Sequence, residues 1–235
     1  MRILVSGGNG RLGKRLVSWL RERGHEVAAP VRDEVNWARP QQVASAIRTY
    51  SPDRILALAS WTDVALAQHQ PMSCVRDTVV TTQHTIDAAA EWGVPLLYVS
   101  TDYVHAVLRQ DCAGVYAASK LVAEQLVLLN RGHVARVAFT TPEQVAGWRW
   151  VNGYSVANRC WVDELVPLLG TWSLYPAHQL EPLVELGGQR AVTPAQLLKS
   201  KEPDHPALLC IVSSAADAVR QGLQPQPSDT TWRRS

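Results

Sequence analysis

The chain is sparing in the residues that mark several large protein classes. Its four cysteines, Cys74, Cys112, Cys160 and Cys210, lie far apart with no Cys-x-x-Cys spacing. That excludes a disulfide scaffold and a cysteine zinc site. The seven histidines show no His-x-His or His-Glu-x-x-His spacing, so no metal is expected. No apolar run reaches the length of a membrane span, and the chain opens directly on a strand-like segment without a leader-like pattern. A cytoplasmic, membrane-free protein is the expectation. Neither sign of charge dominates: 23 Lys and Arg against 21 Asp and Glu leave a net +2, too little to draw nucleic acid or an anionic membrane. Phenylalanine is nearly missing, one residue against nine tryptophans. A buried indole N–H needs a partner, so several of these rings are expected at a surface, pocket or interface.

What is present is ordinary for a globular enzyme-sized chain: 235 residues, 46% hydrophobic and 19% charged, enough to bury a core without cross-links. Short apolar runs alternate with helical stretches. Strands are expected at Arg2–Ser6, His25–Ala29, Arg54–Ala59, Val94–Ser100 and Val134–Phe139. Helices are expected at Leu12–Arg23, Pro40–Tyr50, Ser73–Trp92 and Val115–Asn130. Strands that are apolar throughout, separated by helices, predict a parallel sheet covered on both faces. After residue 140 the pattern loosens: a helix near Trp161–Leu169, a strand at Pro182–Leu186, a helix at Pro194–Lys201 capped by Thr193, and a polar, proline-rich tail. The expectation is an α/β chain, a Rossmann-type doubly wound parallel sheet with a small C-terminal substrate-side lobe. The dinucleotide-binding core is placed at 1–140. The C-terminal segment, 141–235, is read as that lobe plus elements completing the sheet.

The sequence Ser6-Gly7-Gly8-Asn9-Gly10-Arg11-Leu12-Gly13 joins the first strand to the first helix. Glycines at 7, 10 and 13 suit a sharp turn, a close approach of backbone to a pyrophosphate and close helix–strand packing. The helix N-terminus adds free N–H groups and a positive dipole end. The competing reading is a tight turn that binds nothing. At the end of the second strand an acid would hold the ribose hydroxyl of NAD. The chain has Val31 near that place and Arg32 next, and an Arg suits a 2′-phosphate. NADP(H) is therefore favoured over NAD(H), with Arg11 assisting. Asp33 keeps NAD open if the register differs, and Arg32 can equally be a solvated charge.

The fourth strand runs into Ser100-Thr101-Asp102-Tyr103, and Tyr116 and Lys120 follow at i, i+4 spacing on one helix face. An ammonium beside a phenol favours the phenolate, and such a tyrosine can pass a proton to or from a carbonyl or alcohol oxygen. The alternative is an exposed helix face. His105, just beyond the strand, is either a substrate contact or a solvated loop residue. Trp148, Trp150, Tyr154 and Trp161, interleaved with Arg149 and Arg159, suit either stacking on a planar or anionic ligand or an interface.

Taken together, these motifs resemble the extended short-chain dehydrogenase/reductase family, nearest to its dTDP-4-dehydrorhamnose reductase-like and NAD-dependent epimerase-like members. The stretch VSTDYV at 99–104 resembles the family's fourth-strand signature, and SKLVAEQLV at 119–127 its SKxxGE helix. LASWTDV at 58–64, WVDELVPLL at 161–169, ELGGQRAVTPAQLL at 185–198 and PSDTTW at 227–232 resemble further family segments. The chain departs from the pattern in a truncated active-site loop, His105–Val115, and in Thr78 where an Asn is common. The resemblance implies a catalytic set of Thr101, Asp102, Tyr116 and Lys120. It implies a cofactor set of Gly7, Asn9, Gly10, Arg11, Leu12, Gly13, Arg32, Ala59 and Lys120, and substrate contacts at Ser100, His105, Trp148 and Trp150. The expected function is an NADP(H)-dependent reductase or dehydrogenase of a small or sugar-like metabolite. The alternatives are a cofactor-binding, non-catalytic regulatory subunit, or the fold reused for a non-redox isomerase or lyase step. A homodimer is expected by analogy alone.

Overall fold

The computed structural model describes residues 1–109, 114–146, 151–152, 158–188, 192–204 and 211–212, with the side chains of 151, 152, 194, 211 and 212 excepted. Trp148, Trp150 and Tyr154 lie outside the described residues.

Strand β1 (Arg2–Ser6) turns through the glycines into α1 (Arg11–Glu22), and Gly24 at φ +80° reverses the chain into β2 (Glu26–Ala28). Helix α2 (Pro40–Tyr50), started by its proline, leads to β3 (Arg54–Ala57). Next come α3 (Val64–His69), α4 (Pro71–Val75), a π-helical turn (Arg76–Val80) and α5 (Thr81–Glu91), ending at β4 (Leu96–Thr101). Helices α6 (Val104–Leu108) and α7 (Val115–Leu129) precede β5 (His133–Val137) and β6 (Phe139–Thr140). The remainder holds α8 (Pro142–Val145), β7 (Val151–Asn152), β8 (Cys160–Trp161), α9 (Val162–Leu174), β9 (Leu183–Leu186), α10 (Pro194–Lys201) and β10 (Ile211–Val212). The Thr193 hydroxyl caps α10 by accepting from Gln196 N at 3.2 Å.

Six strands form one parallel sheet in the order β2-β1-β3-β4-β5-β9. Side chains alternate along each strand, so a strand buried on both faces feeds two cores. Ile3, Val5, Leu56 and Leu97 join α1 and α9 on one face. Leu4, Ile55, Leu96 and Tyr98 join α2, α5 and α7 on the other. Residues beyond 141 supply α9 to the first layer and β9 to the sheet edge. Of their other elements, β8 pairs in parallel with β6 (Phe139–Thr140) and β10 with β7, and Val145, Trp161, Ala195, Leu197 and Leu198 form a satellite cluster. The chain leaves β1 outward to β2, then crosses to β3 on the other side. This reversal opens a crevice outside the carboxyl ends of β1 and β3, where such sheets take their ligands.

Two expectations need amendment. The stretch expected as one long helix at Ser73–Trp92 is broken by the π turn. That turn displaces carbonyls from ordinary helical pairing. Threonine hydroxyls take them up: Thr82 donates to Thr78 O at 2.6 Å, and Thr81 donates to Asp77 O at 3.0 Å. The tryptophans also divide more evenly than expected. Trp92 is exposed, but Trp37, Trp161 and Trp172 are buried, and the last two indole N–H groups have no hydrogen-bond partner among the described residues.

Candidate active site

The glycine loop is shaped by contacts that leave no room for side chains. Gly7 holds φ +68°, and a Cβ there would lie 2.8 Å from Ala59 N. A Cβ on Gly13 would lie 2.2 Å from Gly7 O and 2.8 Å from Gly8 Cα. These two glycines let β1, α1 and the end of β3 approach one another. Gly10 caps α1 without a side chain, and the first turn of that helix holds no acid. The positive helix end, with Arg11 beside it, has no acid in its own first turn and fits a pyrophosphate.

Two clefts meet at this loop. The larger, about 420 Å³, has Gly7, Gly10, Arg11, Leu12 and Gly13 on one side and Ser100, Thr101, Asp102, Tyr116 and Lys120 on the other. The smaller, about 240 Å³, extends toward β2 past Asn9, Arg32 and Ala59. Gly7, Gly10 and Ser60 line both. The trough thus has the glycine loop at its middle, one arm toward Arg32 and one toward Tyr116.

Within the large cleft the catalytic candidates come together. Tyr116 packs edge-on against Tyr103, with ring centroids 5.6 Å apart. The Thr101 hydroxyl donates to Asp102 Oδ1 at 3.2 Å and accepts from Tyr103 N at 3.3 Å. Burial pushes the Tyr116 phenol well above its ordinary pKa, with the Thr101 hydroxyl and the Arg11 charge opposing that shift. Burial likewise raises Asp102, opposed by the charge of Arg159. Lys120 is lowered to about 7 by burial, with Glu124 opposing. Its ammonium donates to Val99 O at 2.8 Å and Ser60 Oγ at 3.4 Å, and lies 4.2 Å from the Tyr98 ring centroid. It is thus directed into the cleft floor rather than to the phenol. Ser60 Oγ is 3.2 Å from Thr78 Oγ1 on the π turn, which also accepts from Trp61 N at 3.3 Å.

Two further candidates are engaged by other side chains. The Ser100 hydroxyl is committed to Glu124, donating to Oε2 at 2.8 Å. His105 Nε2 is 2.7 Å from Glu185 Oε1 and outside the cleft walls. Ser60, Gln144 and Arg159 line the large cleft; the first two were not among the expected site residues, and Arg159 belonged to the aromatic and arginine cluster read as suiting either a ligand or an interface. Ser60 is carried in the LASWTDV stretch; Gln144 and Arg159 follow the fifth strand, where the sequence pattern is irregular. Among the described residues no cluster of His, Cys, Asp or Glu could hold a metal, and no helix is long and apolar enough to cross a membrane.

The profile of the RmlD substrate binding domain matches residues 1–141. The chain belongs to that family. A dTDP-4-dehydrorhamnose reductase of Sinorhizobium fredii is 34% identical over 133 residues, 53% of this chain and 45% of that protein. A namesake from Streptomyces griseus is 30% identical over 150 residues, 59% of this chain and 49% of that protein. The chain spans about half the length of the curated relatives it matches. A dTDP-4-dehydrorhamnose reductase of Bacillus anthracis, solved in complex with NADP, superposes with a TM-score of 0.77 at 18% identity, covering 97% of this chain and 95% of that one. At that identity the RmlD-family chain shares the fold, a Rossmann-like parallel sheet.

Proposed function

We propose that this chain is an NADP(H)-dependent short-chain reductase that acts on the carbonyl of a small or sugar-like metabolite. The observation that carries the reading is one cleft walled by the glycine loop on one side and by Thr101, Tyr116 and Lys120 on the other. The names of the relatives, reductases of a nucleotide-linked sugar, support the sugar-like substrate. The NADP complex of the Bacillus anthracis protein supports the cofactor.

When bound, the nicotinamide supplies the hydride. The N–H groups at the start of α1 hold the pyrophosphate, with Asn9 and Leu12 shaping the cradle. Arg32 faces the 2′-phosphate from the smaller cleft, beside Ala59. Lys120 holds the nicotinamide ribose. Tyr116 donates the proton: burial keeps its phenol neutral, so at neutral pH it can pass Oη–H to an oxygen gaining negative charge. The Thr101 hydroxyl positions that oxygen, and Asp102 in turn orients Thr101 through their 3.2 Å hydrogen bond.

The test is NADPH oxidation against a panel of aldehydes, ketones and keto sugars, for the wild type and Tyr116→Phe. The expected result is turnover reduced by about 10²-fold or more in the variant, with NADPH binding, followed by tryptophan fluorescence, retained. Undiminished turnover by the variant, or failure of the wild type to bind either NADPH or NADH, overturns the reading.

A further inference from the structure

Among the described residues three cations line the larger cleft, Arg11, Lys120 and Arg159, against one carboxylate, Asp102. The proposed cofactor uses two of them: Arg11 beside the phosphate cradle and Lys120 at the ribose. Arg159 is left over. It precedes β8, and its backbone is pinned on both sides. Cys160 N donates to Ala138 O at 3.1 Å, and Gly188 N donates to Asn158 O at 3.0 Å. The side chain is 4% exposed, and its Nε has no hydrogen-bond partner among the described residues. No described carboxylate reaches ion-pair distance of it. A guanidinium taken out of water without a counter-charge is costly to keep. Asp102, the described carboxylate on the same cleft wall, is engaged through Oδ1 by the Thr101 hydroxyl and forms no ion pair with Arg159.

A planar cation, fixed in a cavity wall and short of an anion, matches a group with two or more oxyanion oxygens. We propose that Arg159 binds an anionic group of the substrate, so that the carbonyl reduced at Tyr116 belongs to an oxo compound carrying a carboxylate or a phosphate. This rests on the reductase reading for the reacting carbonyl, while the anion site itself is read from Arg159 alone. The fixed backbone lets the guanidinium receive the anion without reorganising.

The experiment is calorimetric titration of the NADP⁺-saturated protein with malonate and, separately, with inorganic phosphate. Saturating cofactor keeps either anion off the glycine loop. The expected result is saturable binding of at least one probe at about millimolar Kd, weakened at least about tenfold in Arg159→Gln and less in Arg159→Lys. Malonate alone points to a carboxylate, phosphate alone to a phosphoryl group, and both to a site that takes either. If neither binds the wild type, or both bind Arg159→Gln equally well, the proposal is overturned. The wild-type titration is decisive even where Arg159→Gln fails to fold. Calorimetry needs no turnover: a protein that binds an anion at Arg159 but never oxidises NADPH sinks the reductase reading and leaves the anion site standing. If NADP⁺ does not bind, the same titrations are run on the cofactor-free protein with the same two outcomes.

Discussion

Arg136 donates from Nε at 2.8 Å and from a terminal nitrogen at 2.5 Å to the same oxygen of Glu124. The other Glu124 oxygen accepts from Ser100, so a fully buried carboxylate ties α7 to β4 and β5 together. Glu124 lies one helical turn beyond Lys120 and two beyond Tyr116 on the same face. It therefore fixes the rotation that turns both side chains toward the cleft. Outward the chain of charge continues, with Arg136 3.5 Å from Glu185 and Glu185 2.7 Å from His105.

Glu124→Gln leaves the Arg136 guanidinium buried and short of charge. Breaking such a pair costs about 3–5 kcal/mol, read from denaturant unfolding. Glu185 is 43% exposed, and Glu185→Gln is expected to cost less than about 1 kcal/mol. Equal losses in the two variants refute the burial argument.

Lys120 makes stability depend on pH with a definite sign. Burial brings its folded pKa to about 7 from 10.5. Above about 7 the folded protein has released a proton that the unfolded chain still holds, so stability rises with pH in that window. The contribution is lost as pH falls through about 7. Cys160, raised by burial to about 12 from 9.0, pulls the other way above pH 9. Unfolding measured at pH 7 to 9 is expected to show a rising stability that Lys120→Met flattens; an unchanged slope in the variant contradicts the assignment.

The glycines of the loop are not equivalent. A Gly13→Ala methyl meets Gly7 O at 2.2 Å and the Gly8 backbone at 2.8–2.9 Å, and backbone cannot step aside. At Gly10 the nearest atom is 3.2 Å away. Gly13→Ala is therefore expected to lower stability by at least about 2 kcal/mol and to abolish cofactor binding. Gly10→Ala is expected to remain folded. Paired melting curves decide it.

How much of this was legible in the sequence follows from where information is local. All six sheet strands were placed because each carries a short apolar run between turn signals: Ile3-Leu4-Val5 is buried in β1, and edge strand β9 keeps Leu183, Val184 and Leu186 around exposed Glu185. The glycine loop and the Tyr116–Lys120 pair were legible because each is a short-range pattern. The π turn was not: that the Thr78 hydroxyl reaches across to Ser60 while its carbonyl accepts from Thr82 is decided by packing. The direction of the Lys120 ammonium was also hidden, since i, i+4 spacing fixes a face but not whether a flexible stem reaches the phenol or the Val99 carbonyl. Arg159 belonged to an expected aromatic and arginine cluster, but its burial depends on β8 pairing with β6, a contact between segments about 20 residues apart with no periodic signal.

Cofactor choice turns on Arg32. Its guanidinium reaches the smaller cleft but lies 3.7 Å from Asp77, which also takes Arg76 at 2.8 Å. Asp33, which kept NAD open in the sequence, is exposed and outside that cleft wall. Arg32 is itself 69% exposed, so its pairing with Asp77 is a weak tether that a 2′-phosphate, with more charge and more acceptor oxygens, can displace. Arg32→Ala is expected to weaken NADPH binding by at least about tenfold and NADH by less than about threefold. Asp77→Asn, which removes the competing carboxylate, is expected to tighten NADPH and leave NADH unchanged. Asp33→Asn is expected to alter neither. Fluorescence titration of the four proteins with both nucleotides measures all of this at once. A loss of NADH affinity in Asp33→Asn, with NADPH untouched by Arg32→Ala, reverses the preference to NAD.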